Sequence, residues 1–239
     1  MKLNQSMLLI VGLMSAMSNV SADVNIDTFN SYQFGVVSNP APSSFSSLAN
    51  SVDIIGLERL IQLTKITGSG GFINAAAFEV TGGTLSIANG PSTNSILDIV
   101  WDGIGTSGFG PVDFTEGGLN DALRFGLPAV LDKDITMTFN INDGASTLTT
   151  TFLAGTSSPS LYANFQDFSN ATVFTNVSKI AVQISSTSAW DAEFQLFSSS
   201  DNPDVPNPPP PTPLPEPGTL MLLGLGLLGL AAITRKHKK

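Results

Sequence analysis

Cysteine is absent from the 239 residues, and the single histidine is His237. The first absence excludes a disulfide framework, a thiol nucleophile and a cysteine-ligated zinc or iron–sulfur site. The second excludes a Ser-His-Asp triad or a histidine-based metal site within the body of the chain. Charge is scarce as well: Asp, Glu, Lys and Arg make up 12%, about half the ~25% usual in soluble domains. Basic residues are the rarer sign, with Lys+Arg 10 against Asp+Glu 19 and a formal net charge of -9. Nucleic acid, whose phosphates demand basic surface, is therefore not an expected partner. What is present is 42% hydrophobic residues, 22 Gly and 15 Phe, enough for a packed domain rather than a disordered chain.

The two ends read as sorting devices. Residues 1–22 have the three parts of a signal peptide: Lys2, the apolar stretch Met7 to Met17, and small residues up to Ala22, with cleavage expected between Ala22 and Asp23. Toward the other end, residues 201–213 form a Pro-rich linker, which builds neither helix nor sheet and acts as an extended spacer. Leu220 to Ile233 then runs without a charge, and Arg235 opens a basic flank ending at Lys239. This pattern predicts one transmembrane helix over residues 219–234, with its C-terminal side in the cytoplasm. At 1.5 Å per residue the uncharged run spans ~21 Å against a hydrocarbon core of ~30 Å. With Gly224, Gly226 and Gly229 inside it, it suits temporary retention better than permanent anchoring.

Pro215-Glu216-Pro217, the Gly-containing apolar helix and the tail led by Arg235 together resemble the PEP-CTERM sorting signal of Gram-negative bacteria, over residues 214–239. Leu214 stands where that family more often has Val. The resemblance implies a partner, an exosortase-like membrane protease or transpeptidase. It also implies passage through the inner membrane as an anchored precursor, then a place at the cell surface or in the extracellular matrix, in association with polysaccharide and biofilm.

Residues 23–200 are expected to form an all-β domain, a two-sheet, jelly-roll-like sandwich. Ile135 to Ile141 alternates strictly, with Ile135, Met137, Phe139 and Ile141 on one face and Thr136, Thr138 and Asn140 on the other. Asn142-Asp143-Gly144 turns it into a hairpin with Ser146 to Ala154. A second hairpin is expected at 77–80 and 84–87 around Gly82-Gly83, and further strands at 24–29, 57–66, 96–101, 122–127, 161–168, 179–185 and 189–197, nine to eleven in all. Short strands bounded by Gly, Asn, Asp and Ser turns favour a sandwich, and Phe is its expected core residue.

A second, longer resemblance rests on Ile54 to Arg59, Trp101-Asp102-Gly103, Val112 to Gly118 leading to Asn120-Asp121-Ala122, and Phe174 to Ile180. These stretches look like a recurrent exported bacterial β-domain found ahead of PEP-CTERM tails. Leu57 takes the place of a Gly that is frequent there. The resemblance implies no activity.

For chemistry only carboxylates remain. Residues 23–213 hold 18 Asp+Glu and 5 Lys+Arg, a difference of -13. A glycosidase needs two carboxylates across its substrate, and the spacing of Glu58, Glu79, Glu116 and Glu193 singles out no pair. Asp27 and Asp191 would meet where a sandwich brings its first and last strands together and so could serve a calcium ion, as could the loop around Asp143. No residue is assigned to a metal or cofactor, and no enzymatic activity is expected. Trp101 and Trp190 are the tryptophans a sugar site would use, although alternation places both toward the core. The Asn170 and Asn176 glycosylation patterns are read as chance matches. The expected function is that of an exported surface or matrix protein. The alternatives are a carbohydrate-binding module that holds extracellular polysaccharide, or a simple membrane-anchored periplasmic protein.

Overall fold

The computed structural model describes residues 23–204 except 157 and 188. The expected signal peptide up to Ala22, the rest of the expected linker beyond residue 204, and the tail with Pro215, Glu216, Pro217, the expected helix 219–234 and Arg235 lie outside the described residues. Among the described residues no helix is long and apolar enough to cross a membrane.

The domain is a two-sheet β-sandwich of thirteen strands among the described residues. They are β1 (Val24–Asp27), β2 (Gln33–Val37), β3 (Ser43–Asn50), β4 (Glu58–Thr67), β5 (Ala76–Thr81), β6 (Thr84–Asn89), β7 (Asn94–Trp101), β8 (Ala122–Gly126), β9 (Ile135–Ile141), β10 (Ser146–Phe152), β11 (Ser160–Asn164), β12 (Ile180–Ser185) and β13 (Ala192–Ser200). One sheet has seven strands in the order β11-β8-β13-β6-β5-β2, with β1 also on β13; the other has six, β10-β9-β12-β7-β4-β3. Every pairing is antiparallel.

The strand count exceeds the expected nine to eleven because β2 and β3 carry little alternation. β3 reads Ser-Ser-Phe-Ser-Ser-Leu-Ala-Asn and is an edge strand, paired only with β4 within its sheet. Most of its side chains stay in water, so no apolar period is required of it. The strand expected at 57–66 is β4, shifted by one residue to Glu58–Thr67.

Phenylalanine fills the space between the sheets. Phe125 stacks on Phe197 with centroids 4.1 Å apart, both from the seven-stranded sheet. Phe139 of β9 faces Phe125 at 6.5 Å, and Trp101 of β7 faces Phe197 at 4.9 Å. The apolar face read from β9 is core along its whole length: Ile135, Met137, Phe139 and Ile141 are at most 1% exposed. In β13 a bulge at Leu196 (φ 34) shifts the register, so that Phe194 and Phe197, three apart, both point inward. Gly126 lies against that bulge, where a Cβ would come 2.7 Å from the Gln195 carbonyl oxygen.

Two cations are buried inside this core. Arg59 Nη1 donates to both carboxylate oxygens of Asp27 at 2.8 and 2.7 Å, Nε to Gln33 Oε1 at 2.6 Å, and Nη2 to the Ser31 carbonyl at 2.9 Å. Trp101 Nε1 donates to Asp27 Oδ2 at 2.8 Å, and the Phe29 amide to Oδ1 at 2.8 Å. Burial pushes the Arg59 pKa down against the pull of Asp27. Lys65 Nζ donates to the carbonyls of Asn39, Ser69 and Asn74 at 3.1, 2.6 and 2.5 Å. It ties two loops, β2–β3 and β4–β5, to β4 without a carboxylate partner.

Candidate functional site

Register, rather than any motif, builds the candidate site. On the outer face of the six-stranded sheet, Thr149 of β10 lies opposite Thr138 of β9, and Thr138 opposite Gln183 of β12. Gln183 lies opposite Asp98 of β7, Asp98 opposite Gln62 of β4, and Gln62 opposite Ser46 of β3. One row of polar side chains therefore crosses all six strands. At ~4.8 Å per strand spacing its five gaps span about 24 Å.

The central part of the row is ordered by its own bonds. Gln183 Nε2 donates to Asp98 Oδ1 at 2.8 Å, and the hydroxyls of Thr138 and Thr149 lie 3.1 Å apart. Beside the row is a depression of about 210 Å³, bordered by Asp98, Val100, Thr138, Asn140, Ala181 and Gln183. Its floor is low because Ala181 stands directly between Asn140 and Val100 across the pairings. On one flank of the row are Ala181, Val100 and Leu60; on the other is Ile96. The nearest outward cation along β12 is Lys179, and two carboxylates engage it, Asp143 at 3.0 Å and Asp102 at 3.7 Å. The hydrogen bond that Lys179 donates to Asp143 is the main cause that raises the Lys179 pKa.

The residues singled out from sequence fall elsewhere. Trp101 and Trp190 are 0% and 1% exposed, so neither presents a ring to a sugar. The suggested calcium pair does not form. Asp27 is taken up by Arg59 and Trp101, while Asp191 accepts the Asn89 amide at 2.7 Å. Asp27 pairs with Phe197, six positions along the chain from Asp191. The Asp143 loop is the β9–β10 turn, with Asn142 Oδ1 accepting the amides of Ser178 and Lys179 at 2.8 and 3.1 Å. Among the described residues no group of three or more His, Asp or Glu is placed to hold a metal ion.

The register brings Glu79 and Glu193 into one row of the seven-stranded sheet, each opposite Ser86, on an exposed outer face. Glu58 is buried, and Glu116 sits in an exposed turn. Asp23, on the far side of the expected cleavage point, precedes β1 and pairs with Arg124 at 3.4 Å. Asp98, Gln183 and Gln62 were not singled out from sequence. Their outward positions follow from strand alternation, but their alignment depends on two strand pairings that alternation does not specify.

No curated protein matches this chain in sequence. Similar solved structures include two of carbohydrate-binding modules. One is a family 11 carbohydrate-binding module of the cellulosomal cellulase Lic26A-Cel5E of Clostridium thermocellum, at 8% identity and a TM-score of 0.34, covering 76% of this chain and 96% of that one. The other is a solution structure of CtCBM11, at 8% identity and a TM-score of 0.32, covering 78% and 99%. At the C-terminal end, residues 213–236 match the PEP-CTERM protein-sorting motif, and the chain carries that signal.

Proposed function

We propose that this chain is a non-catalytic exported protein whose acidic β-sandwich works at the cell surface or in the extracellular matrix after an exosortase-like enzyme has processed its tail. The observation that carries the reading is the sorting motif at residues 213–236. In this reading the signal peptide directs export, with cleavage between Ala22 and Asp23. Helix 219–234 then holds the precursor in the inner membrane, and Arg235 with the lysines stops translocation through the cost of moving charge across hydrocarbon. The Pro-rich linker keeps Pro215-Glu216-Pro217 extended at the membrane edge, where its unpaired backbone is open to a protease. The acidic sandwich, with 18 Asp+Glu against 5 Lys+Arg in residues 23–213, has no charge affinity for nucleic acid.

The test is Glu216→Ala combined with Pro217→Ala in the native host. The doubly substituted protein should be exported but uncleaved and membrane-bound, as read by cell fractionation and mass spectrometry. Release at the normal mature mass would overturn the reading, and normal processing in a strain without an exosortase-like enzyme would do the same.

A further inference from the structure

We propose that the outer face of the six-stranded sheet binds a neutral, hydroxyl-rich polysaccharide laid across the strands along the row from Thr149 to Ser46. The proposal rests on the reading above, which puts the domain where such polymers are.

The chemistry of the row selects this occupant. Hydroxyl and amide side chains both donate and accept, as sugar hydroxyls do. The bond from Gln183 to Asp98 fixes both side chains and leaves Gln183 Oε1 and Asp98 Oδ2 as acceptors without a hydrogen-bond partner among the described residues. Next to them, the depression over Ala181 and Val100 has room for the apolar face of a sugar ring while its hydroxyls reach Asp98, Gln183 and Thr138. A span of about 24 Å fits an extended polymer better than a small ligand.

Charge excludes the competing polymers. The three central rows of this face hold one ionisable side chain, Asp98, and no cation. Lys179, at the rim, is already engaged by Asp143 and Asp102. An anionic polysaccharide would meet a carboxylate with nothing to pair it. The corresponding row of the other sheet holds Phe34, Glu79, Ser86 and Glu193, so two carboxylates stand there where this face offers amides and hydroxyls. That difference also supplies an internal control.

Affinity electrophoresis tests the proposal, using the purified full chain in gels that contain a β-glucan, a galactomannan or dextran, with alginate as the anionic counterpart. At least one neutral polymer should retard the parent and alginate should not. Gln183→Ala should weaken retardation by about tenfold, the loss expected from one well-placed hydrogen bond. Ala181→Trp, which fills the depression, should abolish it, and Glu79→Gln should leave it unchanged. Thermal melting of each variant alongside the parent separates loss of binding from loss of fold. The proposal is overturned if no neutral polymer retards the parent, if alginate alone does, or if folded Gln183→Ala and Ala181→Trp proteins migrate as the parent does. Because the unprocessed chain is assayed, a failure here leaves the sorting reading standing. Equally, normal release of the tail-substituted protein would leave this result intact.

Discussion

Replacing Arg59 with Met should be among the most damaging single changes in the sandwich. The guanidinium is 0% exposed and satisfies Asp27, also 0% exposed, through two bonds of 2.7 and 2.8 Å. Met fills similar volume but leaves the Asp27 carboxylate in the core with only Trp101 Nε1 and the Phe29 amide as donors. Breaking a buried pair from one side costs about 3–5 kcal/mol, a large share of the 5–15 kcal/mol that holds a typical domain. The origin of the cost can be isolated. If it is mainly the stranded charge, Asp27→Asn in the Arg59→Met background should restore part of the loss, because no unpaired ion then remains. The double variant should lie about 1–3 kcal/mol above the sum of the single effects. Urea denaturation of the full chain followed by tryptophan fluorescence gives all four stabilities, and Trp101 reports from within the network. Additivity within ~0.5 kcal/mol, or a loss below ~1 kcal/mol for Arg59→Met, would refute the view that this is a coupled, desolvated cluster.

Two further outcomes follow from backbone and protonation. Leu57 occupies the left-handed region at φ 70 with its side chain 45% exposed. An L-residue costs about 1–2 kcal/mol there, and glycine gives back about 0.5–1 kcal/mol through the entropy of the unfolded chain. Leu57→Gly should therefore stabilise the fold by about 0.5–1 kcal/mol in the same denaturation assay. Destabilisation would show that the Leu57 side chain contributes packing its exposure does not reveal. Burial, more than any other cause, raises the Asp121 pKa, and Asp201 adds to the effect. A carboxyl whose folded pKa is raised stabilises the fold fully below its unfolded value of about 3.9 and loses that contribution as pH rises through the folded value. The stability advantage of Asp121→Asn at neutral pH should therefore shrink as pH falls toward that window, and parallel curves for the two proteins would sink the assignment. Asp113 has the opposite sign, since the Thr115 hydroxyl holds its pKa down; its contribution is present above about 3.9 and is lost as pH falls through the folded value.

What the sequence made legible follows physical lines. The β9–β10 hairpin could be read because two signals coincide: strict alternation in Ile135 to Ile141, and a turn whose Asn142, Asp143 and Gly144 all take positive φ, which these residue types tolerate. Both tryptophans were placed in the core for the same reason. β3 was illegible because an edge strand with one partner need not alternate. The course of β13 past Leu196 was illegible because a bulge reverses the inside-outside pattern within the strand. Arg59 and Lys65 look like surface residues by composition, and only tertiary contacts with Asp27 and with three loop carbonyls make their burial tolerable. Asp27, weighed as one possible calcium ligand, is instead held by the Arg59 guanidinium and Trp101. The candidate face lay between these cases. Each of its side chains could be assigned to the outside, but not its neighbour on the next strand.

The stretches that resemble a recurrent exported β-domain turn out to be framework. Arg59 and Trp101 converge on Asp27. Gly103 (φ 72) lets the chain pass the Gly108 carbonyl, to which a Cβ would come within 2.6 Å. The Phe114 amide bonds the Phe174 carbonyl at 2.8 Å, Val112 pairs with Val177, and Asn120 Nδ2 reaches Ser199 Oγ at 3.1 Å. Together these contacts sew the long stretch between β7 and β8, which contains no strand, onto the sandwich. Gln62, Asp98, Thr138 and Gln183 take no part in that sewing; the hydrogen bonds described for their side chains run within the face itself. A domain divided in this way can change its outer row without disturbing its core, because outward side chains on a strand contribute little to the packing beneath them. Substitutions in the row should therefore leave the framework intact, whereas those in the resembling stretches carry the cost of unpairing a buried charge or of crowding a left-handed turn.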